Sequence, residues 1–115
     1  MPFKSSEASL PLTPISFEIL LALAGGDRHG YAILQIVEQR LTGVLPMRTG
    51  TIYRALARLL DEGLIERAAG DDRDDRRRNY RLTALGRKTA RAEAERLADQ
   101  VAAARSQRLL PGTKR

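Results

Sequence analysis

The apolar positions of this chain change period along its length, and those changes divide it into elements. From Thr13 onward, Ile15, Ile19, Leu20, Ala22 and Leu23 suggest a short, largely buried helix. Thr13-Pro14 is a start signal, because threonine caps a helix and proline at its first position forfeits no hydrogen bond. Gly25-Gly26 ends it with the left-handed geometry that helix termini commonly use. A second helix is predicted from about His29 to Leu41, with Leu34, Val37 and Leu41 on its buried side. Gln35, Glu38, Gln39 and Arg40 form its wet side. Thr42-Gly43 stops it, and Val44 to Met47, containing Pro46, makes a turn.

A third helix is predicted from about Thr49 to Glu62, and it carries two distinct faces. Ile52, Leu56, Leu59 and Leu60 fall on one, while Thr51, Arg54, Ala55 and Arg58 fall on the other. Gly63 is the expected stop, with Leu64 making the apolar contact that accompanies such an end. The period then shortens. Leu64 to Ala68 and Arg78 to Leu82 predict two strands joined by the polar segment Gly70 to Arg77, a hairpin with a charged tip. Thr83 is an N-cap candidate for a final helix running to about Leu110, where Pro111-Gly112 closes it. Along this helix Ala90, Ala94, Leu97, Val101 and Ala104 form a seam like that of a coiled coil. At about 27 residues, or about 40 Å, it exceeds what a small core covers. Packing within the chain is the plain reading, and a partner chain explains the length better. The expected division is a loose arm at 1–12, a domain at 13–83, a dimerisation helix at 84–110 and a basic tail at 111–115.

Composition narrows the partner. The 115 residues are 43% hydrophobic and 30% charged, which suits one globular domain. The formal charge is +6, and from Arg76 onward twelve Lys or Arg face only Glu93, Glu95 and Asp99. An anionic partner is implied: nucleic acid, acidic lipid headgroups or an acidic protein. Cysteine is absent, so disulfides and thiolate metal sites are excluded. Ile15 to Ala24 has the look of a secretory core, but Glu18 interrupts it and Pro11 and Pro14 precede it. No apolar run reaches the roughly 20 residues of a membrane span. A cytoplasmic protein without membrane attachment is expected.

Candidate chemistry is sparse. His29 is the only histidine and has no nucleophile, second ligand or base near it in sequence. A capping or packing role at the second helix suits it better than catalysis. The Asp71 to Asp75 cluster lacks the glycine and glutamate of a calcium loop, and Gly25-Gly26 lacks the lysine of a phosphate loop. No enzyme activity, metal or cofactor is expected.

The order of elements is more informative. The second and third helices, joined by a short turn, form a helix-turn-helix, whose second member enters the DNA major groove. Thr51, Arg54 and Arg58 suit that position, since arginine contacts guanine or phosphate and threonine a phosphate or thymine methyl. The helix start at Thr49-Gly50 offers backbone amides to a phosphate. Taken alone, Arg54 and Arg58 are equally the wet face of an amphipathic helix.

Four segments sharpen this: Arg28-His29-Gly30-Tyr31-Ala32-Ile33, Gly50-Thr51-Ile52-Tyr53-Arg54-Ala55-Leu56, Glu62-Gly63-Leu64-Ile65 and Arg78-Asn79-Tyr80-Arg81-Leu82-Thr83. In this order they resemble the PadR family of bacterial regulators, over roughly residues 13 to 108. The resemblance implies a mainly α winged helix-turn-helix: three helices, a two-stranded β wing and a long C-terminal dimerisation helix. It implies operator contacts at Tyr31 and at Thr51-Ile52-Tyr53-Arg54, and places Arg76, Arg77 and Arg78 on the wing. It also implies repression of transcription by a homodimer on double-stranded DNA. Some short family members bind flat aromatic drugs through a tryptophan; this chain has none. A small-molecule effector would act by spoiling the spacing of two recognition helices, and nothing in the sequence identifies one. The alternative from a different class is a winged-helix interaction module that docks an acidic protein.

Overall fold

A computed structural model describes residues 10–46, 48–68 and 78–111. Helix α1 (Pro14–Ala24) begins as the sequence predicts: the Thr13 side chain accepts a hydrogen bond from the Ser16 amide at 3.1 Å, with proline in the first turn. Ile19, Leu20, Ala22 and Leu23 are buried, and Ile15 packs half-buried against the same core. Helix α2 (Gly30–Leu41) contributes Ile33, Leu34, Val37 and Leu41 to that core. On its outer side Arg40 donates to Glu18 at 2.7 Å, tying α2 to α1, and this bond raises the arginine's pKa above its ordinary value. Helix α3 (Thr49–Asp61) buries Ile52, Leu56 and Leu59.

The sheet departs from the expected two-stranded hairpin. A two-residue strand β1 (Arg28–His29) precedes β2 (Ile65–Arg67) and β3 (Asn79–Leu82), in the order β1-β3-β2 with both pairs antiparallel. Arg28 lies opposite Tyr80 and His29 opposite Asn79. Two residues are too few to show a period, so β1 leaves no alternation to read. It ends directly at α2, and the Gly30 amide extends the ladder to the Arg78 carbonyl at 3.0 Å. His29 occupies the N-cap position of α2, but its side chain makes no capping bond. Arg28 instead reaches back, its Nε donating to the Ala22 carbonyl at 2.7 Å, which helps satisfy the end of α1. The tip of the wing, residues 69–77, lies outside the described residues and takes Arg76 and Arg77 with it.

Where α3 meets the sheet, the chain turns on a left-handed glycine. Gly63 has φ +78°, the Leu64 amide donates to the Leu59 carbonyl and the Gly63 amide to Leu60. This is the glycine-terminated helix end that the sequence predicts, and Leu64 is fully buried beyond it. The start of α4 (Ala84–Ser106) is built onto the same turn. The Thr83 side chain accepts from the Gly86 amide at 2.9 Å and donates to the Gly63 carbonyl at 2.7 Å, while the Thr83 amide donates to the Leu64 carbonyl. Gly86 lies so close to the Leu64 carbonyl that any Cβ there would collide with it.

Helix α4 is shorter than expected. It ends at Ser106 rather than Leu110, and its 23 residues span about 35 Å. Arg108 adopts φ +64°, with the Leu109 amide donating to Ala104 and the Arg108 amide to Arg105. A non-glycine residue thus takes the left-handed terminal position, which composition does not announce.

Candidate nucleic-acid interface

Helices α2 and α3, separated by residues 42–48, form the helix-turn-helix, and β2 and β3 lie beside it as the wing. Helix α3 is positioned from behind by Ile52, Leu56 and Leu59, all at most 1% exposed. That anchoring turns Arg54 and Arg58 outward, where both are exposed. Among the described residues neither enters an ion pair. Arg54 donates a long hydrogen bond of 3.4 Å to the Thr51 hydroxyl one turn earlier, which links two members of the expected DNA face. Thr49 and Gly50 are exposed in the first turn of α3, where backbone amides have no partner within the helix. Tyr31 projects from the start of α2, 48% exposed despite its size.

The other expected contacts are distributed differently. Tyr53 is half-buried against the hydrophobic core, so much of its ring supports α3 from the side. Arg78 is half-buried at the base of the wing, immediately before β3. The wing strands are braced by Arg81 on β3, whose Nε lies 3.3 Å from Glu66 on the neighbouring β2.

Thr51, Arg54, Ala55 and Arg58 form one wall of a hollow of about 260 Å³, and Thr13, Ile15 and Ser16 at the start of α1 form the other. The α1 wall was not apparent from sequence, because nothing in the periodicity of α1 points to α3. The hollow is lined by two arginines, three hydroxyl-bearing residues and the apolar Ile15 and Ala55, with no carboxylate in it. Its arginines and hydroxyls are groups that can hydrogen-bond an oxyanion such as a backbone phosphate.

The expected dimer residues divide along α4. Ala90 is half-buried against the chain's own core, whereas Ala94 is exposed and Val101 is 42% exposed; Leu97 and Ala104 are half-buried. Among the described residues no helix is long and apolar enough to cross a membrane. None of them forms a cluster of three or more His, Cys, Asp or Glu suited to a metal.

Residues 19–92, well over half of the chain, match the transcriptional regulator PadR-like family. The chain belongs to that family. PadR-like proteins are regulators of transcription, not enzymes, and their solved structures carry the same fold. A transcriptional regulator from Clostridium thermocellum is 30% identical, with a TM-score of 0.61, over 76% of this chain and 84% of that one. A PadR family regulator from Clostridium difficile is 24% identical with a TM-score of 0.68, over 80% and 95% of the two chains. Bacillus subtilis PadR, solved in complex with operator DNA, is 25% identical with a TM-score of 0.59, over 71% of this chain and 46% of its own. A search of curated proteins gave no match. Within the PadR-like frame, two residues of this chain were missed by sequence reasoning: Gly86, pressed against the end of α3, and Glu93, a buried carboxylate on α4.

Proposed function

We propose that this PadR-like chain is a cytoplasmic, sequence-specific DNA-binding repressor that acts as a homodimer on a pseudo-palindromic operator. The observation that carries the reading is the outward face of α3. Arg54 and Arg58 are exposed on the second helix of a helix-turn-helix, neither is in an ion pair among the described residues, and Arg54 is hydrogen-bonded to Thr51. A pair of arginines left open on a recognition helix suits phosphate oxygens and guanine edges. The operator complex of the related Bacillus subtilis PadR supports the same reading. Tyr31, Thr49, Gly50 and Tyr53 complete the contact set on the helices, and Arg76, Arg77 and Arg78 extend it along the wing.

The dimer reading rests on α4, where Ala94, Leu97, Val101 and Ala104 continue the seam beyond the last buried residue, Glu93. Pairing two such helices brings two copies of α3 onto one face of the duplex about 34 Å apart, one turn of DNA.

Fragments of genomic DNA retained by the purified protein define the site, and fluorescence anisotropy measures the affinity. Arg54→Ala is expected to weaken binding to those fragments by about 10-fold or more. Arg58→Ala is expected to weaken specific and random duplexes alike, and to reduce the slope of log affinity against log salt by about one. Equal affinity for random DNA at moderate salt would overturn the sequence-specific reading. Retention of DNA by both variants at wild-type strength, with loss of an acidic protein partner, would turn the assignment to an interaction module.

A further inference from the structure

Glu93 is the only buried carboxylate among the described residues, at 2% exposure. Burial of a carboxylate is costly unless its oxygens are hydrogen-bonded. Two bonds come from Arg96, one turn later, whose Nε and terminal nitrogen lie 2.7 and 3.0 Å from the two oxygens. The third comes from far away in sequence: the Leu12 backbone amide donates to Glu93 Oε2 at 3.1 Å. A Glu–Arg pair at this helical spacing forms equally well in solvent. What burial adds is a fixed position for the chain at Leu12.

Fixing Leu12 also fixes the start of α1. Leu12 packs its side chain against the core, and the next residue, Thr13, caps that helix. Thr13, Ile15 and Ser16 then form the α1 wall of the hollow, across from Thr51, Arg54, Ala55 and Arg58. A side chain on α4 therefore holds the entrance of α1, one residue before the wall that faces the recognition arginines. We propose that Glu93 is a positioning residue for DNA binding: by clasping the Leu12 amide it fixes the α1 wall, and with it the space in which a phosphate meets Arg58. This rests on the DNA-binding reading above.

The test separates acceptor from charge and binding from stability. Glu93→Leu removes the acceptor but fills the site; Arg96, about one-third exposed, keeps its charge in water, while the orphaned Leu12 amide lowers stability. Glu93→Gln keeps one oxygen for the Leu12 amide and loses the charge. Both are assayed on the selected genomic duplexes at a temperature where each is fully folded, alongside hydrogen exchange at the Leu12 amide. Glu93→Leu is expected to weaken binding about fivefold with fast exchange at Leu12, and Glu93→Gln to stay within about twofold of wild type. In an Arg58→Ala background the Glu93→Leu loss is expected to shrink, because the wall acts through that arginine.

A folded Glu93→Leu protein that binds like wild type overturns the proposal, as does an equal loss in the Leu and Gln variants. So does full multiplicativity of the Glu93→Leu and Arg58→Ala losses. Failure of the DNA-binding reading looks different: the wild-type protein retains no genomic fragment, and Arg58→Ala changes nothing.

Discussion

Helices α3 and α4 both carry an apolar stripe at helical spacing, yet they use it in opposite ways. In α3 the stripe is consumed by the chain's own interior, where Ile52 and Leu59 are fully buried and Leu56 is 1% exposed. In α4 the buried positions are Gly86, Thr89 and Glu93, none of them a large apolar side chain, and the stripe continues past them. Ala94 and Val101 remain open. Periodicity reports that a face is amphipathic; it does not report whose core the face completes. The first three turns of α4 belong to the winged domain, and the remainder projects from it.

The sharpest way to break this contrast is to empty both stripes. Leu56→Ala is expected to cost about 3 kcal/mol in urea unfolding, whatever the protein concentration, because the cavity opens within one chain. The paired change Leu97→Glu/Val101→Glu is expected to leave the isolated fold nearly intact. It should convert the protein to monomer in sedimentation and remove the concentration dependence of its Tm. A midpoint loss in that variant as large as that of Leu56→Ala, measured in dilute monomer, would show that α4 is an internal helix after all.

A smaller effect concerns the polar way in which α4 is held. The Glu93 carboxyl is kept below its ordinary pKa chiefly by the Arg96 hydrogen bonds, helped by the Leu12 amide, while burial opposes the shift. A carboxylate whose folded pKa is depressed stabilises the fold above its unfolded value, and that contribution is lost as pH falls through the folded value. Wild type is therefore expected to lose stability relative to Glu93→Gln as the pH falls below the ordinary carboxylate value of about 4.5, with the difference constant well above it. A gap between the two proteins that does not narrow on acidification would remove the ion pair from the account of α4.

The smallest effect is at the far end of the same helix. Arg108→Gly relieves a left-handed residue at φ +64° and is expected to stabilise the protein by up to about 1 kcal/mol, read as a small rise in Tm. No gain would show that the end of α4 frays before the domain unfolds.

Much of the winged domain was legible in the sequence because its signals are redundant. Thr13-Pro14 marks the start of α1, Gly63-Leu64 marks the end of α3, and Ile52, Leu56 and Leu59 mark its inner face. What was hidden was local or non-periodic. Strand β1 is two residues long and borrows its pairing from β3, so only the folded sheet defines it. Pro111-Gly112 is a conventional helix breaker and points to an end of α4 near Leu110, while the chain turns earlier at an arginine. The outward placement of Arg54 and Arg58 on α3 was readable from spacing, although spacing alone left them equally the wet face of an amphipathic helix. The wall that faces them was not, since Thr13 meets α3 only through the packing of α1. Glu93 sits in a polar stretch where acidic residues are ordinarily solvated, and its burial depends on an amide 81 residues earlier.

The close approach of Gly86 to the Leu64 carbonyl has a mechanical consequence. It sets the start of α4 directly against the turn that ends α3, with no room for a side chain between them. In a paired molecule each such joint would make a lever of its two helices, with the fulcrum on the twofold axis. A few degrees of scissoring between the long arms would sweep the two recognition helices through arcs that grow with their distance from that axis. In the proposed dimer, that close joint would pass such a motion from the long helices towards α3.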